Sequence, residues 1–153
     1  MWSGRPRRII SGGQTGVDRA ALDVALELGI ECGGWCPRGR RAEDGRIGPG
    51  YLLEETPSSD YRQRTAWNVR DSDATLVLCL GAPDRGTRLT LRLAEQAGRP
   101  HCSVDLGAGA PLEVLRRWLA EVPALTLNVA GPRESRRPGI HAAATAVLRR
   151  LLA

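Results

Sequence analysis

Short apolar, β-rich runs alternate with helix-length segments along the whole of this 153-residue chain, and no other feature restricts its fold as much. The runs are RII at 8–10, IEC at 30–32, ATLVLCL at 74–80, HCSV at 101–104 and LTLNV at 125–129. Helical patterns cover 17–28, 60–69, 87–97, 111–121 and 139–152. Strands that alternate with helices build a parallel sheet covered on both faces. The expected fold class is therefore α/β: a Rossmann-like parallel sheet of about five strands with helices on both faces, in a single domain over 1–153. Gly29 and Gly98 fall where glycine caps would close two of the helices. The stretch 38–57 follows neither period and reads as the longest candidate for a functional loop.

Such a sheet gives each polar residue an address, because ligands of open parallel sheets collect outside the carboxyl ends of the strands. The strand-following loops are SGGQTG at 11–16, GGWCPRGRR at 33–41, GAPDRGT at 81–87, DLGAG at 105–109 and AGPRES at 130–135. Every one holds glycine, and the second, third and fifth hold arginine. Asp71 and Asp73 precede the third strand, at the opposite edge, and read as structural.

Charge narrows the chemistry further. The net charge is +5 and all 22 basic residues are arginine, whose planar fork suits oxyanions and phosphates. With no lysine, the chain has neither a Schiff-base amine nor a Walker-type phosphate loop. His101 and His141 form no pair at metal-ligand spacing, so a zinc hydrolase is not supported. Cys32, Cys36, Cys79 and Cys102 read as buried thiols rather than a disulfide framework or a metal site. Aromatic residues make up 4% of the chain and the arginines are scattered among acids, which argues against nucleic acid as a partner. No apolar run has transmembrane length, and the opening MWSGRPRRII lacks the apolar core of a signal peptide; the expectation is a cytoplasmic protein with no membrane association.

Four segments carry candidate binding residues. In the first loop, Gly12, Gly13 and Gly16 would let successive amides point at one anion, with Gln14 and Thr15 as side-chain donors and Asp18 either capping the helix or holding Arg19 or a ligand hydroxyl. A bare strand-to-helix turn is the alternative. Gly86 and Thr87 repeat the arrangement after the third strand, and adjacent positions of the two turns in the sheet would make one crevice of them. Arg38, Arg40 and Arg41 either close over an anion or pair with Glu43 and Asp44 at the surface. In the helix at 60–69, Tyr61, Arg64, Thr65 and Asn68 share a polar stripe, which is functional if Arg64 points inward.

Four blocks, GGQTGVDRAALD at 12–23, GGWCPRGRRAEDG at 33–45, RTAWNVRDSDATL at 64–76 and NVAGPRES at 128–135, resemble the putative molybdenum carrier family. That resemblance implies a Rossmann-like fold, a homo-oligomer, and binding of molybdate or a related oxyanion. The chain is similar, more widely, to nucleotide-binding folds that include the lysine-decarboxylase-like phosphoribohydrolases. Those enzymes share an arginine eight residues before SerAspAla, here Arg64 before Ser72, and place a catalytic Glu three residues after GlyThr. Thr90 stands at that position here, and Arg85 replaces a glycine expected before Gly86. No cofactor is required on this reading, and the expected ligand is molybdate or a phosphate-containing molecule. A nucleotide-processing enzyme with its acid at Glu54, Glu55 or Asp84 is the alternative.

Overall fold

The computed structural model describes residues 4–153, so the first three residues of the opening segment and of the expected domain lie outside the described residues. Five strands form one parallel sheet: β1 (Arg8–Ile10), β2 (Glu31–Gly33), β7 (Ala74–Cys79), β8 (His101–Asp105) and β9 (Thr126–Ala130). The helices between and after them are α1 (Val17–Leu28), α2 (Tyr61–Arg70), α3 (Arg85–Gln96), α4 (Pro111–Glu121) and α5 (Ile140–Leu152). The α/β architecture is that of the sequence pattern. All six residues of β7 are buried, as suits a parallel strand covered on both faces.

Strand order is β2-β1-β9-β7-β8. The two glycine turns after β1 and β7 are therefore not neighbours. β9 runs between them, with Ile9 opposite Leu127 and Leu76 opposite Val129. Periodicity marks where strands are but not where the last one inserts, and β9 qualifies for the middle because Leu127, Asn128 and Val129 are all buried.

The two faces of the sheet differ in chemistry. Alternation along β7 sends Ala74, Leu76 and Leu78 into a large apolar core with Leu127, Val129 and the inner faces of α1, α4 and α5. Thr75 and Asn128 are buried outside that cluster, and the Asn128 amide donates to the Thr75 hydroxyl at 3.2 Å. Helices α2 and α3 pack together, and α3 lies against β7 and β8. They bury Arg64, Asn68, Thr87 and Thr90.

The stretch 38–57 is more structured than its pattern suggests. β3 (Trp35–Cys36) pairs with β6 (Glu54–Glu55), and β4 (Arg41–Ala42) makes a hairpin with β5 (Gly45–Arg46). Arg40 holds the segment together: its guanidinium donates to the carbonyls of Ile47, Gly48, Tyr51 and Leu53 at 2.8–3.2 Å. Ile47 and Leu53 then join Leu22 and Cys36 in a second small core. At the opposite edge of the main sheet Asp73 accepts the Thr126 amide at 2.8 Å, and Asp71 accepts the Trp35 indole N–H at 2.8 Å.

Gly16 joins the loops after β1 and β9. Its φ is +79°, and a Cβ there would lie 2.2 Å from the Pro132 carbonyl oxygen. Gly16→Ala should cost at least about 2 kcal/mol, combining left-handed strain with a backbone clash. Gly29→Ala, at φ +69° with open space around it, should cost only about 1 kcal/mol. Denaturant melts of the two variants check the difference; equal losses would show that the Gly16 contact does not constrain the loops.

Candidate functional site

Loops after β1, β7 and β9 and the start of α2 enclose a cleft of about 710 Å³ at the carboxyl edge of the sheet. Its floor depends on a side chain from one motif lying against the backbone of another. Arg64 is 8% exposed, and its Nη1 donates to the Gly12 carbonyl at 2.8 Å. A Cβ at Gly12 would lie 2.3 Å from that same nitrogen, so the glycine makes room for the guanidinium. Asp18 Oδ2 lies 3.6 Å from Arg64 Nη1, and the Tyr61 ring centroid lies 5.1 Å from the Arg64 guanidinium carbon. Burial pushes the Asp18 carboxyl up to about 6, although Arg64, the Gln14 amide and Arg19 pull the other way.

The amides of the first loop are mostly engaged within the protein. Ser11 Oγ receives the Gly13 amide at 3.4 Å, Asp18 Oδ2 the Gln14 amide at 3.3 Å, and Gln14 Oε1 the Thr15 amide at 3.1 Å. Gly13 does not line the cleft. A Cβ there would lie 2.5 Å from Leu53 Cδ1 and 2.9 Å from Ile47 Cδ1, so its glycine is a packing requirement of the neighbouring small core.

At the second turn, helix α3 starts at Arg85 behind Asp84, which caps the Thr87 amide at 2.9 Å. That amide is therefore taken. The Thr87 hydroxyl is buried in the wall of the cleft with no hydrogen-bond partner among the described residues. A buried hydroxyl without a partner is costly, which makes it a candidate ligand contact. Thr90 Oγ1 donates back to the Gly86 carbonyl at 3.3 Å.

Of the residues marked out by the sequence, Gly12, Gln14, Asp18, Gly86 and Thr87 line the cleft, as do the stripe of Tyr61, Arg64, Thr65 and Asn68 and the candidate acid Asp84. Thr15 and Gly16 sit beside it, joined to the loop after β9. Arg40 is consumed by its four carbonyls, and neither it nor Arg38 borders the cleft. Glu54 and Glu55 are exposed on β6 and also lie outside it. Arg92, Asn128, Arg133 and Arg136 reach the cleft without having been singled out. The arginine in the AGPRES loop was the available signal for the third of these.

Six arginines and three aspartates line the cleft. Asp60 and Asp84 cap helices, and among the described residues Arg64 is the one cleft arginine with a carboxylate within ion-pair distance. The arrangement is an electropositive crevice with a buried guanidinium at its floor and unpaired guanidinia around its rim.

A model of the circularly permutated YpsA SLOG family matches residues 9–152. The chain is also similar to a crystal structure described as a putative molybdenum carrier protein, from Syntrophus aciditrophicus SB, with 43% identity and a TM-score of 0.94 over 97% of this chain and 96% of the other. No curated protein matches the sequence.

The Asp18 shift sets a pH dependence. Below about 6 its carboxyl is neutral and leaves Arg64 without a counter-charge; above that value ionised Asp18 competes with any anion. Affinity for sulfate, whose own charge is constant across this range, should rise about tenfold from about pH 7.5 to about pH 5.5. Asp18→Asn should flatten the profile in calorimetric titrations. The same raised value means that the stability this group contributes is full below its ordinary 3.8 and is lost as pH rises through about 6.

Proposed function

Because the chain belongs to the circularly permutated YpsA SLOG family, we propose that it is an oxyanion-binding protein, holding molybdate or a phosphate group in the arginine-lined cleft. The observation that carries this reading is Arg64, a guanidinium buried on the cleft floor whose Nη1 meets the Gly12 carbonyl and the Asp18 carboxylate and whose Nε meets the Tyr61 carbonyl at 3.4 Å, leaving Nη2 for a ligand. Guanidinium N–H groups that face a water-poor crevice bind tetrahedral oxyanions by charge-assisted hydrogen bonds. The unpartnered Thr87 hydroxyl supplies a further donor, and Arg133 and Arg136 bring charge to the rim. The likeness to a protein described as a molybdenum carrier favours molybdate among the tetrahedral dianions.

One observation favours a larger ligand. A volume of about 710 Å³ exceeds the needs of a single tetrahedral ion and falls among small-molecule sites, and the Tyr61 ring borders it. A nucleotide would place its phosphate at the floor and its base near that ring. Hydrolysis is not part of the proposal: Thr90 offers no carboxyl, and Asp84 is occupied as a helix cap.

Arg64→Ala should weaken binding of molybdate by about 10- to 150-fold, the equivalent of ~1.5–3 kcal/mol for a hydrogen bond to a charged group. Arg70→Ala is the control, since Arg70 pairs with Asp71 at 2.7 Å and does not line the cleft. Calorimetry on both folded variants tests the reading, and equal losses at the two positions would reduce it to general charge. Incubation with AMP, IMP and GMP should release no free base by chromatography; steady release that Arg64→Ala abolishes would replace the carrier by an enzyme.

A further inference from the structure

Beside the cleft, the protein holds one of its own carboxylates as a ligand. Glu43 lies in the turn between β4 and β5 and is exposed, yet its carboxylate accepts from three donors: the Thr15 hydroxyl, the Ser135 hydroxyl, and the Ser135 amide at 3.2 Å. The Glu134 amide donates to Thr15 Oγ1 at 3.1 Å, which leaves the Thr15 proton to point at Glu43. Partial burial works against ionisation, but the Ser135 and Thr15 hydroxyls, the Ser135 amide and the Arg133 charge together hold the Glu43 carboxyl below its usual range.

The donors do not need Glu43 to stay in place. Thr15 and Ser135 belong to loops joined by the close contact of Gly16 with Pro132 and by the Val17 amide, which donates to the Pro132 carbonyl at 3.3 Å. The hairpin does not need the Glu43 side chain either. Arg19 Nη1 holds Asp44 at 2.8 Å, and the Glu43 backbone amide donates to Gln14 Oε1 at 2.8 Å. A preformed set of donors, with an arginine beside it, is thus filled by a side chain free to leave.

We propose that Thr15 and Ser135, with Arg133 beside them, form a second oxyanion site for a tetrahedral dianion, inorganic phosphate or a phosphate monoester, and that Glu43 fills it as a displaceable internal carboxylate. The exchange is chemically even, one anion for another on the same N–H and O–H groups. The extra charge of the incoming dianion falls to Arg133. An internal competitor lowers apparent affinity by the fraction of time the site is open, so the wild-type protein would take phosphate only at high concentration.

The test is calorimetric titration of inorganic phosphate, and separately of AMP, into the wild-type protein, Glu43→Ala and Glu43→Gln. Glu43→Ala should bind phosphate about 10- to 100-fold more tightly than wild type. Thr15→Val placed in the Glu43→Ala background should abolish that gain, whereas Arg64→Ala in the same background should preserve it. Glu43→Gln, which keeps an acceptor but loses the charge, should fall between wild type and Glu43→Ala. Tight binding of phosphate alone identifies a free oxyanion as the ligand, and binding of AMP as well identifies a phosphate monoester; either supports the site. Unchanged affinity in folded Glu43→Ala would overturn the proposal, as would unfolding of both Glu43 variants, because the carboxylate would then be a structural fastener. Failure of the cleft reading would show separately: wild-type protein would bind no molybdate, while Glu43→Ala still gained the site lost with Thr15→Val.

Discussion

The contact of Arg64 with Gly12 and Asp18 is the interaction on which the rest of the site depends. A buried guanidinium is costly to desolvate, and one carboxylate at 3.6 Å with the Gly12 carbonyl at 2.8 Å and the Tyr61 carbonyl at 3.4 Å still leaves its Nη2 donors to be met. A buried ion pair is poor grounds for claiming stability. What it provides is placement: Arg64 on α2 fixes the start of that helix against the loop after β1, while Asp18 ties the same loop to α1 through the Gln14 amide. An arginine held in this way would spend little rotamer entropy in meeting the anion proposed for this cleft.

The polarity of the sheet follows the same division. On one face, α1, α4 and α5 seal an apolar core from which Leu76, Leu78, Leu127 and Val129 exclude water. On the other, Thr75 satisfies Asn128, and Asn128, Thr87 and Thr90 continue the polar surface into the cleft. A polar patch under two helices would be a liability in a structure selected for stability alone. Here the apolar side of the sheet supplies the burial, and the polar side lines the cleft for which oxyanion binding is proposed.

Much of the architecture was legible because parallel strands buried on both faces are continuous apolar runs, and helices show their period and their caps. Gly29 sits at φ +69° as the C-cap of α1, where the pattern placed it. Strand order was not legible: nothing in the local pattern of 125–129 says that it enters between β1 and β7. Site residues divide in the same way. Gly12 and Arg64 each stood out within their own motif, but 52 residues separate them, and only the fold shows that the glycine exists to admit the guanidinium. Arg40 looked like a clamp because it sits among other arginines in an irregular stretch. The carbonyls that absorb it belong to residues 47–53, a pairing that spacing does not encode.

Asp18 links binding and any proton chemistry through a single group. It is the one cleft carboxyl not employed as a helix cap, and burial brings its value to about 6, near the range where a carboxyl serves as an acid. To donate a proton it must first hold one, and in that neutral form it no longer offsets Arg64. The neutral form is therefore the one that leaves the Arg64 charge open to an anion, and ionisation restores the Asp18–Arg64 pair. On the oxyanion-binding reading proposed above the same coupling has a simpler consequence: ionised Asp18 would offset Arg64 and lower the affinity for an anion, and neutral Asp18 would raise it.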